Sequence, residues 1–167
     1  MGLFSGLFGK KQEQKAEMVE APAKGRCISI TEVKDPTFSA EILGRGVAVL
    51  PEEGTFYAPA DGRVTMAFDT GHAVSMTTEE GAELLLHIGI DTVELQGKYF
   101  EMQVSSGQQV RTGDVLVKAD LEAIRRAGYD TAAMLVVCNT DDYGQIECMT
   151  DREVEPGDGV MKLYGKR

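Results

Sequence analysis

Residues 68–97 read FDTGHAVSMTTEEGAELLLHIGIDTVELQG and contain both histidines of the chain, His72 and His87. The second half of this stretch holds the apolar run LLLHIGI, which is bounded by turn residues and is typical of a buried strand. The polar, Gly-ended segment TTEEG lies between the histidines and predicts a turn. The stretch therefore predicts a β-hairpin with one histidine on each strand.

The register of this hairpin decides whether the two histidines meet. A two-residue loop at Glu79-Glu80 pairs Thr78 with Gly81 and places His72 directly opposite His87. Side chains opposed in this way have Cβ atoms about 4.5–5.5 Å apart, so we predict that both imidazoles face one small group. A bulge at Gly81 would instead shift the register by one residue and send the histidines to opposite faces.

Two short motifs occur twice in the rest of the chain. APAKGRC at 21–27 recurs as APADGRV at 58–64, and VRTGDVLVK at 110–118 recurs as VEPGDGVMK at 154–162. The Gly-Asp pair of VRTGDVLVK and the Pro-Gly-Asp sequence of VEPGDGVMK predict turns between short strands. Many short strands at near-regular spacing are typical of a sandwich or a barrel, here with internal pseudo-symmetry.

Few other elements break this all-β pattern. One helix is predicted from Leu121 to Ala127, because Asp120 is a good N-cap and Gly128 a good terminator. MLVVCN at 134–139 predicts a buried strand.

The chain divides into a tail and one domain, at residues 1–20 and 21–167. Four apolar residues of the tail have helical spacing and basic residues follow them, which suits either an amphipathic helix on an anionic membrane or a frayed tail. The residues are Leu3, Phe4, Leu7 and Phe8, followed by Lys10, Lys11 and Lys15. The starting Met and this tail favour a free-standing chain.

Composition excludes several classes of protein. The chain has 167 residues and a formal net charge of -10, and it shows no basic patch of the kind that binds nucleic acid. Three cysteines without CxxC spacing argue against a disulfide framework and for a reducing compartment. No apolar stretch is long enough to span a bilayer. We therefore expect a cytoplasmic protein.

The histidines leave more than one chemistry open. They could be core residues, or zinc ligands if Asp69, Asp91 or Glu94 supplied the third protein ligand that a catalytic zinc usually needs. No GxSxG, P-loop or GxGxxG motif is present, which argues against a serine hydrolase and against direct use of a nucleotide. The hypothesis that remains is transfer of a phosphoryl group onto an imidazole, with neutral His87 attacking, His72 donating to the phosphoryl oxygens, and Thr70 orienting His72.

The motifs LLLHIGIDTVELQG, TGHAVS, ILGRGVAVLP, APADGRV and VRTGDVL together resemble the glucose-family IIA component of the bacterial phosphoenolpyruvate-dependent sugar phosphotransferase system. The resemblance runs from about residue 21 to 164. It implies an antiparallel β-sandwich with barrel-like closure, and it favours the facing register of the hairpin. It also implies that His87 takes a phosphoryl group through Nε2 from the phosphocarrier protein HPr and passes it to a cysteine of the IIB domain of a sugar permease.

The same resemblance assigns roles to further residues. His72 matches the histidine that holds the phosphate, and Thr70 matches the threonine beside it. A rim that meets protein partners is expected around the histidines, and the candidates for it are Phe38, Ile42, Val47, Phe68, Val74, Ile88, Asp91 and Glu94. We expect a monomer without cofactor or bound metal. The alternatives are a regulatory binding module of the same fold and a zinc-dependent hydrolase that uses His72 and His87.

Overall fold

The computed structural model describes residues 15–167, and these form an antiparallel β-sandwich. The described residues contain fourteen strands: β1 (Ala16–Glu20), β2 (Gly25–Ser29), β3 (Arg45–Pro51), β4 (Thr55–Tyr57), β5 (Gly62–Ala67), β6 (Ala73–Thr78), β7 (Glu83–Ile88), β8 (Phe100–Met102), β9 (Gln109–Val110), β10 (Val115–Ala119), β11 (Ala133–Val137), β12 (Gln145–Cys148), β13 (Arg152–Val154) and β14 (Gly159–Tyr164). Two α-helices, α1 (Pro36–Ser39) and α2 (Leu121–Arg126), and three 3₁₀ helices, Ile30–Glu32, Thr92–Leu95 and Thr140–Asp142, connect them.

The strands form one large sheet and two small ones. The large sheet has the order β13-β2-β3-β11-β7-β6-β5-β9, and the small ones have the orders β1-β14-β12 and β4-β10-β8. The predicted all-β sandwich is confirmed. The large sheet ends in separate edge strands, β13 and β9, so its own hydrogen bonds do not form the expected barrel-like closure.

The predicted boundary of the tail is wrong where the structure describes it. Residues 16–20 form β1, which pairs with β14 from Ala16 opposite Tyr164 onward. Val19 of this strand is fully buried, so the domain includes these residues. The proposed amphipathic or frayed segment otherwise lies in residues 1–14, outside the described residues.

The repeated motifs occupy equivalent places in the fold. The N–H of Glu20 donates to the carbonyl of Pro59, and the N–H of Tyr57 donates to the carbonyl of Pro22, both at 2.8 Å. These reciprocal bonds join the two APA segments to each other. The two sheet halves also match, because β2 lies between β3 and β13 while β5 lies between β6 and β9.

The two Gly-Asp turns contain the same hydrogen bond from a backbone N–H to the side chain of the aspartate three residues later. Asp114 Oδ2 accepts from the N–H of Arg111, and Asp158 Oδ2 accepts from the N–H of Glu155, each at 2.9 Å. The predicted pseudo-symmetry is therefore confirmed down to individual side chains.

The helix and strand predicted after residue 120 are confirmed. The side chain of Asp120 accepts from the N–H of Ala123 and begins α2, while Gly128 follows the helix with φ 97°. The apolar run MLVV lies in β11, whose five residues are all buried.

Apolar side chains pack on both faces of the large sheet. Leu135 of β11 and Leu86 of β7 point to the inner face and belong to the main core. Met134 and Val136 point to the opposite face, because successive side chains of a strand alternate. The segment that links β2 to β3 covers this outer face, and together they form a second group, the outer cluster: Ile30, Val33, Phe38, Ala48, Ala132, Met134 and Val136.

The predicted register of the β6–β7 hairpin is wrong. The N–H of Thr78 donates to the carbonyl of Ala82 at 2.8 Å, so the loop has three residues and ends at Gly81 with φ 98°. Such a loop places a left-handed residue after a turn and adds one residue to the connection. The slipped register pairs Ala73 with His87.

Candidate functional site

His87 lies near the end of β7 and points to the outer face of the sheet. Its neighbours Leu86 and Ile88 belong to the main core, and Met134 of β11 is its cross-strand partner. Phe38 belongs to the outer cluster and lies in the segment between β2 and β3. Its ring packs against the imidazole with 5.1 Å between ring centroids. Strand alternation and this covering segment together fix where the imidazole can lie.

One nitrogen of His87 is occupied by a backbone group. Nδ1 lies 2.9 Å from the carbonyl oxygen of Gly89, which can only accept, so we assign the proton of the neutral ring to Nδ1. Gly89 has φ 84°, a left-handed conformation that favours glycine and turns its carbonyl back toward the ring. This arrangement leaves the lone pair on Nε2.

His72 reaches the site from the turn before β6 and not from the strand. Gly71 precedes it with φ 69°, and a Cβ at Gly71 would lie 2.6 Å from Cβ of Phe100. Thr70 Oγ1 lies 2.6 Å from His72 Nδ1, and Phe68 packs edge-on against the ring at 5.6 Å. The imidazole is held from both sides, and the residue as a whole is only 5% exposed.

The two imidazoles meet although the register differs from the prediction. Their centroids are 4.9 Å apart and the ring planes are inclined by 80°. Strict alternation along β6 would direct His72 toward the core, as it does Val74. Because His72 stands outside the strand, it escapes this alternation and faces His87.

Burial keeps both imidazoles neutral near pH 7. Burial, with a smaller contribution from the neighbouring His87, lowers the pKa of His72 from 6.5 to about 4. Burial also lowers the pKa of His87, against the opposing effects of the Gly89 carbonyl, Asp35 and Asp91. A neutral His87 with Nδ1 protonated presents a nucleophilic Nε2.

The hydrogen bond between Thr70 and Nδ1 of His72 determines whether Nε2 of His72 carries a proton. If the hydroxyl of Thr70 donates to Nδ1, the proton of the neutral ring lies on Nε2. His72 then offers an N–H donor beside the Nε2 lone pair of His87. The site thus pairs one nucleophile with one hydrogen-bond donor.

Comparison with known proteins identifies the family. The family model described as phosphoenolpyruvate-dependent sugar phosphotransferase system, EIIA 1, matches residues 17–143. The chain belongs to this EIIA family. It is therefore similar over most of its length to EIIA components of the phosphoenolpyruvate-dependent sugar phosphotransferase system.

Named relatives agree with this assignment. The chain is 40% identical over 165 residues to the PTS system glucose-specific EIIA component of Bacillus cereus, covering 98% of this chain and 100% of the relative. It is 42% identical over 151 residues to the PTS system beta-glucoside-specific EIIBCA component of Bacillus subtilis, covering 90% of this chain and 25% of the relative. The chain thus spans about a quarter of the length of that larger relative.

A solved structure shares the fold. Glucose permease IIA from Mycoplasma capricolum superposes with a TM-score of 0.80 at 37% identity, covering 89% of this chain and 96% of the other.

Three of the residues predicted for the partner rim of this EIIA chain cannot serve there. Val47, Val74 and Ile88 have 0–1% of their surface exposed and belong to the main core. Each lies on the inward side of its strand, which sequence alternation alone did not reveal because both faces of the sheet are apolar.

The other predicted rim residues lie at the surface or beside the site. Phe68 contacts His72, and Asp91 is close enough to His87 to oppose in part the lowering of its pKa by burial. Glu94 is exposed and accepts a hydrogen bond from the hydroxyl of Tyr129 at 3.2 Å. Ile42 is 70% exposed, whereas Phe38 is only 4% exposed and touches His87 from beneath the surface.

Sequence reasoning missed Gly89 and Asp35. Gly89 supplies the carbonyl that holds His87, and the glycine after an apolar strand was its only signal. Asp35 begins α1 by accepting from the N–H of Thr37, and the Asp-Pro pair at its position is a helix-start signal.

Two further findings concern metals and membranes. Within residues 15–167, no group of three His, Cys, Asp or Glu side chains is placed to hold a metal ion. No helix formed by these residues is both long and apolar enough to cross a membrane.

Proposed function

We propose that His87 accepts a phosphoryl group through Nε2 from phosphorylated HPr and passes it to a cysteine of the IIB domain of a glucose-type sugar permease. The observation that carries this proposal is the bond between His87 Nδ1 and the carbonyl of Gly89, which leaves Nε2 as the free nucleophile beside a second imidazole. Membership of the EIIA family supports a relay role for the chain.

The transfer step needs no group beyond protein side chains. The lone pair of His87 Nε2 forms a bond to phosphorus while the bond from phosphorus to the donor nitrogen breaks, and that electron pair returns to the donor ring. In the onward step, a cysteine thiolate displaces Nε2 in the same way. Positioning and stabilisation of charge on the phosphoryl oxygens supply most of the catalysis in such transfers.

His72 has the second role in this scheme. Its Nε2–H, assigned from the contact with Thr70, donates to a phosphoryl oxygen while the group is held on His87. Because the ring is buried and clamped by Phe68 and Thr70, the donor is in place before the charge arrives.

The partner surface that we propose is the rim formed by Ile42, Phe68, Asp91 and Glu94, with Phe38 supporting His87 from below. Its apolar members allow a small contact of the kind that binds weakly and releases quickly. Its carboxylates, in a chain of net charge -10, attract a partner with a basic surface. We further propose that the protein acts as a monomer in the cytoplasm, in keeping with its three free cysteines.

Substitution of each histidine by glutamine tests the assignment of roles. His87→Gln removes the nucleophile, so no stable phosphohistidine should form when the chain is incubated with phosphoenolpyruvate, enzyme I and HPr. His72→Gln keeps an N–H donor, so it should accept the group but pass it to IIB more slowly, by up to the 10²–10³-fold that is roughly typical of losing one preorganised donor.

His72→Ala is the matched variant without any donor, and it should be slower than His72→Gln. Peptide mapping of the base-stable phosphate reads the site directly. Phosphate on residue 72, or stable phosphorylation of His87→Gln, would reverse the roles. A folded wild-type chain that takes no phosphate would favour the regulatory binding module instead.

A further inference from the structure

The peptide of Ile88 lies between the two histidines. Its N–H donates to the carbonyl of His72 at 2.7 Å. In a regular antiparallel pair, the N–H of His72 would return a bond to the carbonyl of Ile88. That carbonyl instead accepts from the hydroxyl of Thr92 at 2.5 Å. The threonine thus takes the place of a backbone donor at the point where the ladder ends.

Thr92 also fixes the residue that follows Ile88. Thr92 is fully buried, and a Cβ on Gly89 would lie 2.4 Å from the methyl carbon of Thr92. The carbonyls of Ala132 and Asp130 hold the chain from the other side by accepting from the N–H groups of Gly89 and Ile90. The Gly89 carbonyl is therefore locked in the direction of His87 Nδ1.

The other half of the pseudo-symmetric sheet contains the same device. By the strand registers, Val137 on β11 corresponds to Ile88 on β7, and Arg45 corresponds to His72. There the hydroxyl of Thr140 donates to the carbonyl of Val137 at 2.6 Å and accepts from the N–H of Arg45 at 2.9 Å. A threonine hydroxyl thus caps the end of both central strands, but only one of these ends carries histidines.

We propose that Thr92 is a positioning residue for the phosphoryl acceptor, and that its hydroxyl fixes the His87 tautomer through Gly89 and releases His72 from the ladder. The mechanistic part of this proposal rests on the role proposed above for His87. Without the hydroxyl, the Ile88 carbonyl lacks its donor and draws the N–H of His72 into the ladder. Strand alternation then directs the His72 ring away from His87, and the Gly89 carbonyl loses its lock.

The test compares Thr92→Val, which keeps the shape and loses the hydroxyl, with Thr92→Ser, which keeps the hydroxyl. Nitrogen-15 NMR of the unphosphorylated proteins reports which ring nitrogen of each histidine carries the proton. We expect Thr92→Ser to keep the wild-type spectrum and Thr92→Val to lose the predominance of the Nδ1–H form of His87. Phosphoryl acceptance by Thr92→Val should fall by about 10- to 100-fold, the scale of a small misplacement of a reacting group.

Thr140→Val is the matched control, because it removes the same hydroxyl from the equivalent strand end without histidines. It should leave the tautomers of both histidines unchanged. If Thr92→Val does not fold, Thr92→Ala against Thr92→Ser makes the same comparison of chains with and without the hydroxyl. Wild-type tautomers in a folded chain without the hydroxyl would overturn the proposal.

The NMR readout also separates this proposal from the function on which it rests. Tautomers are measured without HPr, so a shift in Thr92→Val supports the positioning role even if the wild-type chain accepts no phosphate. Equal loss of the Nδ1–H form in Thr92→Val and Thr140→Val would overturn the specific role, because it would show a general effect on the sheet.

Discussion

At the scale of single residues, the site depends on which nitrogen of each imidazole is free. The carbonyl of Gly89 occupies Nδ1 of His87, and the hydroxyl of Thr70 occupies Nδ1 of His72. Both Nε2 atoms are left free, and the proposed function uses that of His87 as nucleophile and that of His72 as donor. Neutral rings suit both roles, and burial keeps the rings neutral because it lowers the pKa of both histidines.

The buried neutral state of His72 predicts a pH dependence of stability. The unfolded chain binds a proton near the ordinary pKa of 6.5, whereas the folded chain resists it down to about 4. The unfolded state therefore binds more protons in this window, and the free energy of unfolding falls as the pH drops from 6.5 to 4. One pKa unit is worth about 1.4 kcal/mol, which limits the contribution of His72 to roughly 3 kcal/mol.

We expect His72→Gln to remove this part of the slope, measured by urea unfolding at a series of pH values. The two proteins should differ by a constant amount above pH 7, where both imidazoles of the wild type are neutral. Parallel curves down to pH 4 would show that His72 titrates normally in the folded chain.

At the scale of elements, the segment between β2 and β3 builds one wall of the site. It packs Ile30, Val33 and Phe38 onto the outer face of the large sheet, beside His87. The equivalent connection between β5 and β6 spans only residues 68–72 and carries Thr70 and His72. One connection thus covers the sheet, and the other supplies the second histidine.

This packing predicts that Phe38 and Ile42 differ sharply although both were expected in the rim. Phe38 is 4% exposed, so Phe38→Ala should lower the free energy of unfolding by about 3–5 kcal/mol and slow phosphoryl acceptance by loosening His87. Ile42 is 70% exposed, so Ile42→Ala should change stability by less than about 0.5 kcal/mol. Denaturant unfolding of both variants measures the difference, and equal losses would contradict the role given to the outer cluster.

The positions of strands and helices were easier to predict from the sequence than the register between paired strands. Turn residues and apolar runs located the β6–β7 hairpin, β11 and α2 correctly, because each signal is local. The register depended on whether the loop had two or three residues, and Glu-Glu-Gly fits either. The meeting of the histidines was predicted for the wrong reason, since it depends on the turn at Gly71 and not on cross-strand pairing.

The partner rim was the least predictable part of the site. Val47, Val74 and Ile88 were indistinguishable from surface candidates in the sequence, because a strand with two apolar faces shows no alternation. Only the tertiary structure shows that they face the main core while Phe68 stands beside His72.

At the scale of the whole molecule, the described fold begins with β1 at Ala16. This strand pairs with β14 and buries Val19 in the main core. This pairing lies outside the histidine site, which is formed by β6, β7, their connections and the segment between β2 and β3. The start of the described chain therefore contributes to stability, and the site lies elsewhere.

We accordingly expect deletion of residues 1–14 to leave phosphoryl acceptance from soluble HPr unchanged, because every described strand remains. Deletion of residues 1–20 is the comparison, and it should lower the unfolding midpoint because β14 loses its partner β1. Sedimentation with anionic vesicles, with and without residues 1–14, tests the membrane contact that the sequence suggested. Slower acceptance after the shorter deletion would show that these residues take part in transfer from HPr.

The pseudo-symmetry of the large sheet has a consequence for stoichiometry. The position that corresponds to His87 in the other half is Val136, which is buried beneath the segment between β2 and β3. The fold thus repeats its framework twice but offers a single acceptor position to solvent. Under the proposed function, each polypeptide carries one phosphoryl group at a time, so the flux through the relay scales with the number of copies of the protein and with how fast each one turns over.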